Sequence, residues 1–323
     1  MSKQGKQGYT YVSYGKEKYL HHAVASALTI RRFDKERPIA IACPKAHLEV
    51  LEQEELRDIF QVKYELAPEH CSIVGFKHHL EKFLFFEQNI FLDSDIIWCR
   101  QPDTLWQTFE GFPVTITGNE TADSFFGAPK GVAVLWDVLL RKRRRTLRRF
   151  GLSYLSRVQS GVIYAQDDAL TAEVCATARE MLNRIDETHF QSRLKESGRT
   201  MESCEWSLAM AMSKLNIPVY PWFQGKSSVQ LDYIGNYTQH DEAFEAVKCL
   251  YYPDSLVYSL RGLKSATLQR FLTRLLTFFG KGDYMYVTPY CLHFGWLHEK
   301  QPFLDFAEQK WKELVIESNE EIE

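Results

Sequence analysis

Long apolar runs are missing from this chain of 323 residues: nothing in it approaches the ~20 consecutive apolar residues of a membrane-crossing helix. Paired cysteines are missing too. The seven present, Cys43, Cys71, Cys99, Cys175, Cys204, Cys249 and Cys291, are odd in number, scattered and without any C-x-x-C pair, which argues against zinc and against a disulfide framework. Charge excess is slight. Against 39 Lys and Arg stand 42 Asp and Glu, a formal net charge of -3, so nucleic acid is not expected as a partner. Residues Met1 to Gly8 are polar and lack the apolar segment of a signal peptide or anchor, and the expected setting is reducing and cytoplasmic. No repeat, low-complexity tract or linker interrupts the sequence. With 45% hydrophobic and 25% charged residues, one compact domain spanning 1–323 is expected.

What is present is an alternation of short apolar runs and amphipathic stretches. Tyr9 to Ser13 reads as a strand, Tyr19 to Arg32 as a helix, Pro38 to Cys43 as a second strand, His47 to Ile59 as a charged helix and Phe60 to Leu66 as a third strand. Further helices are expected over Phe76 to Asn89, residues 133 to 150, Leu170 to Asn183, Glu205 to Leu215 and Leu268 to Phe279. Further strands are expected over Phe112 to Thr117, Gln159 to Tyr164 and Ile217 to Tyr220, with a short strand and turn over Cys291 to Trp296. This order predicts an α/β fold: a mainly parallel sheet flanked by helices, with a helical C-terminal portion.

The run Asn89 to Trp98 (NIFLDSDIIW) carries the chemistry. It reads as a buried strand bringing Asp93 and Asp95, separated by Ser94, to its end, where ligands gather in open α/β sheets. Apolar residues flank the acids on both sides, and carboxylates left unpaired in such surroundings are costly. Two carboxylates on a strand end suit Mn²⁺ or Mg²⁺, with coordination left over for water and a diphosphate.

Four further motifs follow in order: Lys77, sixteen residues before Asp93; Gln159-Ser160-Gly161-Val162; Glu205 ahead of Leu208-Ala209-Met210-Ala211; and His293-Phe294-Gly295. Together with the D-x-D they resemble the glycogenin-like, family 8-like glycosyltransferases of GT-A fold, over roughly residues 9 to 303. The resemblance implies a hexosyltransferase in which Asp93, Asp95 and His293 hold Mn²⁺ (or Mg²⁺) against the diphosphate of a nucleotide sugar, by family habit a UDP-sugar. It implies transfer with retention to a saccharide, lipid-linked or protein acceptor. The nucleotide-sugar and metal core would occupy about 9–225, and acceptor and closing elements about 226–323. Tyr11, Ser13 and Tyr14 would lie by the base and ribose, and Lys77, Ser94, Gly295 and Lys300 by the donor sugar or phosphates. Gln159 and Glu205 fall at the places of the family's key polar groups. The C-terminal motif departs from the family pattern: Gly295 comes one residue early, Lys300 one late and Gln301-Pro302-Phe303 replaces Pro-Trp, leaving His298 as a rival ligand. Other readings of the same acids are a D-x-D phosphohydrolase with Asp93 as nucleophile, or a nucleotide-sugar binder without turnover.

One motif has no place in that scheme. Arg141, Lys142, Arg143, Arg144, Arg145, Arg148 and Arg149 put seven basic side chains into nine positions. Anionic lipid headgroups, an acidic saccharide or an acidic partner would answer them, and the apolar, arginine-bearing helix at 268–279 adds an expectation of peripheral membrane contact.

Overall fold

The computed structural model describes residues 3–122, 126–127, 133–196, 199–221, 228–251, 263, 265–278, 285–295 and 299–320. The chain opens with β1 (Gln7–Val12), α1 (Lys18–Arg31), β2 (Ile39–Cys43), α2 (Lys45–Val50), β3 (Val62–Glu65), α3 (Ile73–Lys77) and β4 (Gln88–Leu92). It continues through β5 (Ile96–Trp98), α4 (Asp103–Phe109), β6 (Val114–Asn119), α5 (Ala133–Leu139), α6 (Lys142–Phe150) and β7 (Arg157–Ala165). Then come α7 (Asp168–Asn183), α8 (Glu205–Lys214), β8 (Tyr220–Pro221), β9 (Gln230–Asp232), β10 (Thr238–His240) and β11 (Val247–Tyr251). The last elements are α9 (Ala266–Phe278), β12 (Met285–Val287), β13 (Cys291–His293) and α10 (Gln301–Glu320).

Seven strands form the main sheet in the order β3-β2-β1-β4-β7-β6-β8. All its pairings are parallel except those of β7 with β4 and β6. β2 (IAIAC) and β4 (QNIFL) are buried at every position, as strands covered on both faces must be. One face carries α7 and α8 through Val174, Ala178, Leu208 and Met212; the other carries α1 through Leu20, Val24 and Ile30. α10 lies against α1, with His21 stacked on Trp311 at 3.7 Å between ring centres. Besides α9 and α10, the C-terminal portion supplies five strands, forming β10-β11-β12 and, with β5, the small sheet β5-β13-β9.

Several expected elements differ. The run from Asn89 to Trp98 is two strands in two sheets, β4 and β5, because the polar Asp93-Ser94-Asp95 between them forms a turn. The helix expected over Phe76 to Asn89 ends at Lys77. Phe83, Leu84, Phe85 and Phe86 all turn inward, leaving no polar helical face, and the Asn89 amide closes the turn by accepting from Phe86 N (3.0 Å) and donating to Phe86 O (2.7 Å). The helix expected over His47 to Ile59 stops at Val50, and Leu51, Leu56 and Ile59 are buried from the turns that follow it. The helix at 133–150 is broken by Arg141, whose φ of 51° lies in the left-handed region.

Gly118 sits where the register of β6 on β7 shifts, and a Cβ there would lie 1.9 Å from the Arg157 carbonyl oxygen. Backbone cannot yield as a side chain does. Gly118→Ala is therefore expected to cost about 3 kcal/mol, measured by urea unfolding.

Candidate active site

The main sheet delivers Asp93 at the end of β4, where Asp93 N donates to the Gly161 carbonyl on β7 (3.0 Å). The small sheet brings the rest. β13 pairs with β5 so that His293 faces Ile96, the residue after Asp95, and with β9 so that His293 faces Asp232 on the other side. Two registers thus place Ile96, His293 and Asp232 in one row, with Asp95 one residue before it. The Phe294 N–H bond to the Asp95 carbonyl (3.0 Å) fixes the turn to the end of β13.

Ligand atoms of Asp93, Asp95 and His293 lie within 4.8 Å of one another. His293 Nε2 stands 3.5 Å from Asp95 Oδ1 and 3.8 Å from Asp93 Oδ2. Its Nδ1 donates to Asp232 Oδ1 at 2.9 Å, turning Nε2 toward the two acids. This is the carboxylate–histidine arrangement that orients an imidazole as a metal ligand. Two carboxylates and an imidazole fit Mn²⁺ or Mg²⁺. Burial opposes charge on His293, but Asp95 and the Asp232 hydrogen bond override it and push its pKa up to about 10. Burial likewise opposes the Asp95 carboxylate, which the charges of His293 and Lys300 hold well below the usual carboxylate range.

Two lysines border the acids. Buried Lys77 pairs with Asp93 Oδ1 at 2.6 Å and donates to the carbonyl (2.8 Å) and hydroxyl (3.0 Å) of Ser160, so all three of its N–H bonds are used. Burial disfavours its charge, yet Asp93 holds its pKa above the ordinary lysine range. Lys300 pairs with Asp95 Oδ2. Gly295 is required where it is: a Cβ would lie 2.5 Å from His293 Cε1.

The other residues singled out from sequence are placed as follows. Gln159 stands behind His293, not open to a sugar. Its Nε2 donates to Asp232 Oδ1 (3.1 Å), and its Oε1 accepts from Gly161 N (3.1 Å) and from the Gln230 amide. Glu205 is half-buried at the start of α8; among the described residues nothing bonds its carboxylate, and burial raises its pKa despite the nearby charge of Lys77. Half-buried Ser94 is the middle of the turn, and half-buried Tyr14 packs close enough to Lys77 and Asp93 to feel both charges. The Tyr11 ring belongs to the core, its hydroxyl bonded to Ser26 at 2.8 Å, and the Ser13 hydroxyl bonds His47 at 3.1 Å; neither side chain is free for a base. His298 lies outside the described residues.

Asp232 and Gln230 were not among the sequence candidates. Val229-Gln230-Leu231-Asp232 is a short alternating apolar–polar segment that ends on an acid, and an acid at a strand end, as at Asp93, was the available signal. Asp232→Asn is expected to weaken Mn²⁺ binding by about 10- to 100-fold in calorimetric titration, because the imidazole loses the charge that orients it.

No family model matches this sequence, and no curated protein matches it. Similarity is found in three dimensions. The chain is similar to the galactosyltransferase LgtC, solved in complex with donor and acceptor sugar analogs, at a TM-score of 0.50 and 10% identity over 95% of this chain and 99% of that one. The glycosyltransferase GlyE of Streptococcus pneumoniae TIGR4 aligns at a TM-score of 0.49 and 10% identity, over 98% of this chain and 64% of that one. Mouse xyloside xylosyltransferase 1 aligns at 0.44 and 13%, over 70% and 87%. The likeness to LgtC is one of fold: the chain has the mixed α/β GT-A fold of glycosyltransferases.

Proposed function

We propose that the chain is a metal-dependent glycosyltransferase that moves a hexosyl group from a nucleoside-diphosphate sugar, a UDP-sugar by the family resemblance, to a saccharide, lipid-linked or protein acceptor, with retention. The observation that carries this reading is the Asp93, Asp95 and His293 donor set, gathered at the sheet's end with Asp232 behind the imidazole. A divalent ion bound there would supply Lewis-acid stabilisation of the departing diphosphate. Asp232 and Gln159 hold the His293 ring in position. Lys300, less buried than Lys77, adds a positive charge at the phosphate side. Glu205, whose carboxylate has no bond among the described residues and whose proton affinity burial raises, is suited to bond a donor-sugar hydroxyl or to position the acceptor.

One observation favours a second reading. Lys77 and Lys300 already neutralise the two acids, as in a nucleotide-sugar binder that needs neither metal nor turnover. A thermal-shift panel of nucleoside diphosphates and their sugars, with and without Mn²⁺, separates the two. Stabilisation by one nucleotide series that requires Mn²⁺ is the expected outcome. Equal stabilisation without metal selects the second reading, and no shift from any nucleotide overturns both.

A further inference from the structure

The basic run and the helix before it form a surface that the nucleotide site does not use. α5 exposes Leu135, Trp136, Val138 and Leu139, and Leu140 just after it is exposed as well, with Trp136 63% and Leu139 70% accessible. Its one acid, Asp137, is buried and paired with Lys142 at 2.6 Å, which takes negative charge off this face. The left-handed Arg141 then starts α6, and a cavity of about 300 Å³ opens between Leu139, Leu140, Arg141, Arg144, Arg145 and Arg148. Among the described residues, no carboxylate pairs with any of these four arginines. Aliphatic side chains therefore stand in water directly beside a pocket walled by unneutralised guanidinium groups.

We propose that α5 and α6 form a docking surface for an anionic phospholipid membrane. The pocket takes a lipid phosphate, since guanidinium forks bind phosphate oxygens in pairs. Leu135, Trp136 and Leu139 enter the interfacial layer beside it, where an indole with aliphatic neighbours is at home. The pairing of the two halves selects this occupant. A nucleic acid would satisfy the arginines but offers no apolar layer for leucines and valine. A second copy of the chain docking by a two-fold axis would bury the leucines but set one arginine cluster against the other. The inference is independent of the nucleotide-sugar reading: it stands or falls on a different surface.

The test is flotation of the full chain with vesicles of phosphatidylcholine, alone or with about 30% phosphatidylglycerol, at about 0.1 M and about 0.5 M salt. The expected result is flotation with the anionic vesicles only, weakened by salt, with a blue-shifted tryptophan emission that is lost in Trp136→Phe. The triple variant Arg144→Glu, Arg145→Glu, Arg148→Glu and the pair Leu135→Ser, Leu139→Ser should each weaken binding by at least about tenfold, with thermal transitions unchanged. The leucine pair keeps the test decisive should the charge reversals unfold the protein. The proposal is overturned by equal flotation with neutral vesicles, by no flotation, or by variants that bind as the native chain does. It is also overturned if soluble glycerophosphoglycerol binds as tightly as the vesicles, or if the leucine pair abolishes a dimer instead of membrane binding.

Discussion

Asp95→Ala is expected to lower donor turnover by about a thousandfold at a smaller cost in thermal stability than Asp93→Ala, which lowers both. The asymmetry comes from the lysines. Lys300, paired with Asp95, keeps 20% of its side chain accessible and can swing into water when its partner is removed. Removing Asp95 also relieves the repulsion between two carboxylates one residue apart. Lys77 has no such escape. Its side chain is 9% accessible and its remaining bonds go to Ser160, so removing Asp93 strands a buried ammonium, a loss of about 3–5 kcal/mol. A pair of thermal unfolding curves with a donor-hydrolysis assay checks the claim. Two equally stable variants would mean that Lys77 is not committed to Asp93; two active variants would remove the metal reading itself.

The parts legible in the sequence were those fixed by local pattern. β1, α1, β2, β7 and α8 lie within a few residues of where apolar spacing put them, because each buries its own face against a shared sheet. The acids were legible for the same reason, as polar residues interrupting an apolar run. What escaped depends on distant partners. That Asp232 faces His293 follows from the pairing of β9 with β13, a register between segments far apart in sequence. Phe83 to Phe86 read as helix because four apolar residues in a row suit a buried helix or an inward-turning loop equally, and only the Asn89 amide, closing the turn on Phe86, decides. The break at Arg141 left no mark at all, since arginine is an ordinary helix residue and its left-handed backbone is imposed by what surrounds it.

Stability should fall steeply as pH drops from about 6.5 to about 4. His22, His78 and His189 are buried, and burial lowers each pKa from 6.5 to about 4, helped by the charge of Lys300 at His22, of His79 and Arg179 at His78, and of Arg143 at His189. In the unfolded chain these rings take up protons near pH 6.5; in the folded chain they refuse them until about 4. The unfolded state therefore binds more protons throughout the window, and the stability present above 6.5 is lost as pH falls toward the folded values. At 1.36 kcal/mol per unit this is on the order of 3 kcal/mol for the most deeply buried ring, His78, and less for His22 and His189, which solvent screens more. Urea unfolding at pH 7, 6, 5 and 4.5 should show it. His78→Gln isolates one contribution: its amide can keep the bond that His78 Nε2 makes with the Ser207 hydroxyl (2.9 Å) without a titrating group. The variant should lose stability with acid less steeply, by up to one proton's worth of slope. A slope equal to that of the native protein would mean that the His78 ring is reached by water and charges in place.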